Sequence, residues 1–152
     1  MATIIDGIDD LTSRVGQNLG YSEWHQITPT QVQQFADATG DHQWIHLDEE
    51  RAKAGPFGTT IAHGYLTLSL APMLMDEAFK IAGDVKMGVN YGADRVRFMA
   101  PVPVGSRVRM GADLAEVNLF DGGAQYKVTL TFEIEDAPKP ACVAECIYRV
   151  YT

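Results

Sequence analysis

The sequence predicts an α+β domain in which an antiparallel sheet wraps around one long apolar helix. Three observations carry that reading. Over residues 62 to 82, Leu66, Leu70, Met73, Leu74, Ala78 and Ile81 recur at spacings of three and four, the helical period. After residue 84 the period changes to two, with apolar and polar side chains alternating along the runs Val85 to Tyr91, Asp94 to Phe98, Arg107 to Leu119, Ala124 to Glu135 and Ala141 to Val150. Between these runs stand Pro101-Val102-Pro103-Val104-Gly105, Asp121-Gly122-Gly123 and Ala137-Pro138-Lys139-Pro140, all of them turn chemistry.

Taken in order, residues 1 to 15 read as a short polar lead-in with room for a helical turn. Residues 17 to 28, with Tyr21, Trp24 and Ile27, read as a strand. Thr28 is a suitable N-cap, Pro29 fits the first helical position, and Gln31 follows three residues after the cap. Val32, Phe35, Ala36 and Thr39 give that helix an apolar face, and Gly40 ends it. Residues 41 to 61 hold no sustained period, although Asp48 to Ala54 suits a helical turn or two and Gly55-Pro56-Phe57-Gly58 is a turn. The apolar helix of residues 62 to 82 stops at Gly83, and Pro72 should bend it or remove a hydrogen bond. Asp121-Gly122-Gly123 marks a hairpin between the two longest runs.

At 152 residues and 46% hydrophobic composition, the chain suits one ordinary domain spanning residues 1 to 152. A formal charge of −8 argues against wholesale binding to nucleic acid or anionic lipid, which needs a basic face. The longest apolar stretch, Ile61 to Met75, is interrupted by His63, Thr67, Ser69 and Pro72 and is too short and polar to span a bilayer. The first ten residues lack the basic start and apolar run of a signal peptide. Cys142 and Cys146 lie four residues apart on a strand, roughly 13 Å and beyond disulfide reach. No ligand cluster at metal-binding spacing accompanies them, so small buried thiols in a reducing cytoplasm, with no metal and no cofactor, are expected. Charge is unevenly spread. Residues 86 to 109 carry five basic and one acidic side chain, and Lys86, Arg95, Arg97, Arg107 and Arg109 suit either a phosphorylated ligand or solvated strand faces.

The chemistry-bearing segment is Ala38-Thr39-Gly40-Asp41-His42-Gln43-Trp44-Ile45-His46. Asp41 and His46 are five residues apart, which puts them about 140° apart on a helix and on opposite faces of a strand. Only a shaped loop converges them, and Gly40 supplies the conformational freedom for one. A carboxylate beside an imidazole can hold one water and exchange protons with it. Alone, Asp41 would satisfy local backbone groups and His46 would pack or face solvent.

That segment, followed by Gly58-Thr59-Thr60-Ile61-Ala62-His63-Gly64, resembles the R-specific enoyl-CoA hydratases, the MaoC-like dehydratases of the hotdog superfamily. Asn90-Tyr91-Gly92 and the stretch from Arg95 to Gly105 resemble the same family, and the likeness covers roughly residues 17 to 150. It implies a hotdog fold, a homodimer with a continuous sheet, and an acyl-CoA substrate. Two positions depart from the usual family pattern: Gln43 stands where Asn is usual and Trp44 where Pro is usual. Gln43 keeps an amide with a longer reach, and Trp44 is expected to narrow or reshape the acyl pocket. A nodulation protein N-like subgroup shares this variant.

By resemblance, Asp41 and His46 hold and deprotonate the water that adds to a trans-2-enoyl thioester and return a proton, giving an (R)-3-hydroxyacyl product. Gly64 is implied as the backbone donor to the thioester oxygen. Gln43, Trp44, His63, Arg95 and Arg97 are the expected substrate-binding positions, with His63 and His42 also open to a supporting structural role. The competing readings are a dehydratase subunit for 3-hydroxyacyl chains on acyl carrier protein, and a silent acyl-CoA-binding hotdog module, against which the retained pair argues.

Overall fold

The computed structural model describes residues 1 to 152. Its main sheet runs in the order β2 (Asn18–Tyr21), β6 (Arg107–Phe120), β7 (Gly123–Ile134), β8 (Cys142–Tyr151) and β5 (Met87–Phe98), and β3 (His25–Gln26) also pairs with β6. Every pairing in this sheet is antiparallel. Along β7 and β8 every second side chain is buried, so one face is core and the other solvated. The buried face carries Val128, Leu130, Phe132, Ala144 and Cys146, and it closes over Leu66, Leu74 and Ala78 of the helical layer. The solvated face carries cross-strand ion pairs, Arg107 with Glu135 and Arg109 with Glu133, which neutralise two of the five cations in the basic segment.

The helical layer differs from the expected single helix. It is two segments, α5 (Gly64–Ser69) and α6 (Ala71–Ala78), joined at Leu70, whose N–H is shared between the carbonyls of Leu66 and Thr67. Pro72 is the cause: it has no N–H to donate, and its ring crowds the carbonyl four residues back. Met73 is exposed, whereas Leu74 and Ala78 are fully buried. Phe79–Ala82, expected as the end of this helix, is instead strand β4, paired in parallel with β1 (Thr3–Asp6). Phe79-Lys80-Ile81-Ala82 fits either period, and the partner strand decides it.

That partner lies in the N-terminal segment. It contains the expected helical turn, α1 (Gly7–Ser13), but also β1, and Ile5 and Leu11 are fully buried in the core. The segment is thus part of the packed structure rather than a polar lead-in. Two expected strands, Val85 to Tyr91 and Asp94 to Phe98, are one strand, β5, with irregularities at Asn90/Gly92 and Ala93/Arg95. Conversely, residues 17 to 28 split into β2 and β3. Helix α2 (Pro29–Thr39) forms as its caps predict: Thr28 Oγ1 accepts from Gln31 N–H at 3.1 Å, and Gly40 closes it with φ 82°. Two short helices follow, α3 (Trp44–Leu47) and α4 (Glu49–Lys53), the latter within the turn expected at 48 to 54.

Candidate active site

The convergence of Asp41 and His46 is built locally. Gly40 turns the chain out of α2, and Asp41 Oδ1 then accepts the N–H of Gln43 at 3.2 Å, an Asx turn that starts α3. One turn of α3 carries His46 inward, where it is buried, while the Asp41 carboxylate stays half exposed. His46 Nδ1 lies 2.7 Å from the carbonyl oxygen of Ile61. A carbonyl only accepts, so Nδ1 carries the hydrogen and Nε2 of the neutral ring is left with a free lone pair. That Nε2 is 3.8 Å from Asp41 Oδ2. Burial lowers the pKa of His46 below its ordinary value of 6.5; the Ile61 bond and the Asp41 charge oppose the shift, and His63 adds to it.

His46 opens onto a cavity of about 360 Å³ lined by Gly64 and Thr67 of α5, Phe98 of β5, and apolar side chains including Ile45, Phe57 and Val102. Gly64 is the first residue of α5, where N–H groups have no partner within the helix, and no backbone carbonyl of the chain accepts from it. A Cβ at this position would lie 3.0 Å from a ring carbon of Phe98, so the missing side chain lets the Phe98 ring close on the backbone.

Asp41, His46 and Gly64 are therefore brought to one place, His46 and Gly64 as cavity walls and Asp41 beside His46 at the edge. The five expected substrate-binding residues do not line the cavity. Gln43 is exposed and its amide is unpaired. Trp44 packs against Gly55, with the Arg51 guanidinium 4.3 Å over its ring, and is not among the residues lining the cavity. Gly55 has no side chain, and that opens the slot the indole fills. Arg95 and Arg97 are exposed on β5, three and one residues before Phe98, without carboxylate partners. His63 lies beneath the dyad: its ring stacks on His46 at 3.8 Å, and its Nε2 donates to the Asp41 carbonyl at 3.0 Å.

Asp41, His46 and His63 offer three potential ligand atoms within 4.8 Å. The two imidazoles are nearly parallel, 24° apart, so their lone pairs do not converge as a metal cage requires. Two participants are invisible in sequence. The Ile61 carbonyl is a backbone group, and Phe98, itself half exposed, sits in an exposed edge strand whose pattern does not mark it as a wall.

Residues 10–135 match the family described as MaoC like domain. The chain is 54% identical over 145 residues to 3-hydroxyacyl-thioester dehydratase Z of Mycobacterium tuberculosis, covering 95% of each chain. It is 48% identical over 141 residues to nodulation protein N of Rhizobium leguminosarum bv. viciae, covering 91% of this chain and 87% of that one. In three dimensions it is similar to the (R)-hydratase from A. caviae involved in PHA biosynthesis, with a TM-score of 0.72 at 23% identity over 88% of this chain and 94% of the other. That likeness establishes the shared hotdog fold. The chain belongs to the MaoC-like dehydratase family. Within it, the class of enzyme is a hydro-lyase.

Proposed function

We propose that this enzyme adds water across the double bond of trans-2-enoyl-CoA to give (R)-3-hydroxyacyl-CoA, and catalyses the reverse dehydration, using Asp41 and His46 on a single water. The observation that carries this is the gap of 3.8 Å between Asp41 Oδ2 and His46 Nε2. It is too long for a direct hydrogen bond, but a water about 2.8 Å from each atom would see them about 85° apart, close to the angle between its own two hydrogens. Such a water points one hydrogen at each acceptor and a lone pair at the substrate.

In hydration, the water oxygen bonds to C3, one of its protons passes to the dyad, and the C2=C3 electrons move toward the thioester. The charge then resides on the thioester oxygen, which the Gly64 N–H can meet; one such donor is worth about 3 to 4 kcal/mol. The dyad returns a proton to C2 from the same face, so the addition is syn and the enzyme regains its starting state. No cofactor takes part. The exposed, carboxylate-free cations Arg95 and Arg97 are assigned to the phosphates of the CoA carrier.

Thioester chemistry with 3-hydroxyacyl groups is what the dehydratase relative's name describes, and it supports this reading. A second donor, acyl carrier protein, would use the same dyad on the same acyl group. The quaternary state assigned here is a homodimer, supported by β5, a long strand at the sheet edge with nearly every residue exposed. Two unpaired buried cysteines suit a cytoplasmic location, and no helix is long and apolar enough to cross a membrane. The test is loss of the conjugated absorbance of crotonyl-CoA on adding enzyme, with chiral analysis of the 3-hydroxybutyryl product. The R enantiomer is expected; no turnover, or the S product, would overturn the assignment. Crotonyl-loaded carrier protein, run in parallel, separates the two donors.

A further inference from the structure

Beneath the dyad, two buried polar atoms have no partner: Nδ1 of His63 and Oγ1 of Thr67. Both residues are nearly inaccessible, 3% and 1% exposed. Such orphans are costly, about 1 to 3 kcal/mol each, and seldom persist without a reason. They are complementary, since a hydroxyl donates where a bare imidazole nitrogen accepts. They are also neighbours along the chain: His63 caps α5, and its carbonyl accepts the N–H of Thr67, four residues on, at 3.2 Å. A hydrogen bond from the hydroxyl to Nδ1, direct or through one buried water, would satisfy both.

The other edge of the His63 ring is already engaged. Its Nε2 meets the main-chain carbonyl of Asp41, which can only accept, so Nε2 carries the hydrogen. Its face lies on the His46 ring, and Phe35 packs at 4.9 Å on the other contact. His63 therefore touches both members of the dyad, one through the backbone and one through the ring, without lining the cavity.

We infer that His63 is a positioning residue for the hydration reaction, held by Thr67 in its Nε2–H form so that it ties the Asp41 backbone beneath His46 and sets the gap that holds the water. This deepens the functional reading above and rests on it. The Asp41 carboxylate is half exposed and starts an otherwise solvated turn, with only weak anchoring from its neighbours. Without the His63 bond the main chain at Asp41 is free to drift, and a displacement near 1 Å costs on the order of 100-fold in rate.

The test uses three variants of the full chain. His63→Phe keeps the ring against His46 and removes both nitrogens; His63→Gln returns an N–H near the Nε2 position; Thr67→Val removes only the hydroxyl. Rates with crotonyl-CoA and the imidazole nitrogen resonances of His63 are read together. The expected result is a kcat for His63→Phe lowered about 10- to 100-fold with KM within about threefold, and at least partial rescue by His63→Gln. In the wild type the His63 nitrogens should show a protonated Nε2 and a bare, hydrogen-bonded Nδ1, and Thr67→Val should shift the Nδ1 resonance. A His63→Phe kcat within about threefold of wild type, a hydrogen on Nδ1, or an Nδ1 resonance unmoved by Thr67→Val would each overturn the inference. If His63→Phe fails to fold, the nitrogen resonances of the wild type and Thr67→Val decide. A wild type that forms the expected His63 tautomer but does not hydrate crotonyl-CoA would instead refute the functional reading.

Discussion

The two nitrogens of His46 have different fates, and that difference leaves the ring one basic nitrogen. Nδ1 is held by the Ile61 carbonyl, so only Nε2 can take a proton from water. Because burial holds the His46 pKa below 6.5, the base form is already dominant at neutral pH. The acid limb of kcat/KM should therefore fall below pH 6.5; a midpoint above it would contradict the burial account. The sign for stability follows from the same shift. Between 6.5 and the lowered folded value, the unfolded chain binds more protons at this site, so His46's contribution is complete above 6.5 and is lost as pH falls through that window. Denaturant unfolding of wild type and His46→Gln across pH 5 to 7 checks it: the wild type should lose more stability on acidification. Sequence alone paired Asp41 with His46 but left their geometry open, because the Asx turn and the Ile61 bond depend on backbone groups that residue type does not announce.

At the scale of elements, the legible pieces are those whose signals are local. Thr28, Pro29 and Gly40 bound α2 by themselves, and Thr28→Ala should cost about 1 kcal/mol in chemical denaturation. Strand β4 was illegible for the opposite reason. Phe79 to Ala82 continue the helical period, and only pairing with the distant β1 makes them a strand. Pro72 did announce an irregularity, and the break at Leu70 delivers it. The junction before α5 gives a sharper prediction. In Gly64→Ala the added methyl meets the Phe98 ring, a half-exposed side chain that can move aside. Stability should change by less than about 1 kcal/mol, while kcat for crotonyl-CoA should fall at least tenfold as the ring is driven into the cavity. Unchanged kcat in a folded Gly64→Ala protein would contradict the need for a bare backbone beside the Phe98 ring.

For the whole molecule, the sheet ends on an open edge. β5 pairs with β8 on one side and presents its other side unpaired, with Met87, Val89 and Tyr91 exposed. A long apolar edge of that kind is usually covered. Light scattering at micromolar concentration should give the mass of two chains, and lysine at both Val89 and Tyr91 should shift it toward one; a monomeric wild type would contradict the assigned dimer. The fold class was readable from the change of period after residue 84, but the packing of residues 1 to 15 into the core was not, since four-residue strands carry little pattern. The central claim is that Asp41 and His46 share one catalytic water. Its most direct measurement is the steady-state rate of crotonyl-CoA hydration for wild type, Asp41→Asn, His46→Gln and the double variant. Each single change should lower kcat about 10²- to 10⁴-fold, and the double variant should fall little further, because both act on the same water. Near-wild-type turnover in either single variant, or losses that simply multiply in the double, would contradict it.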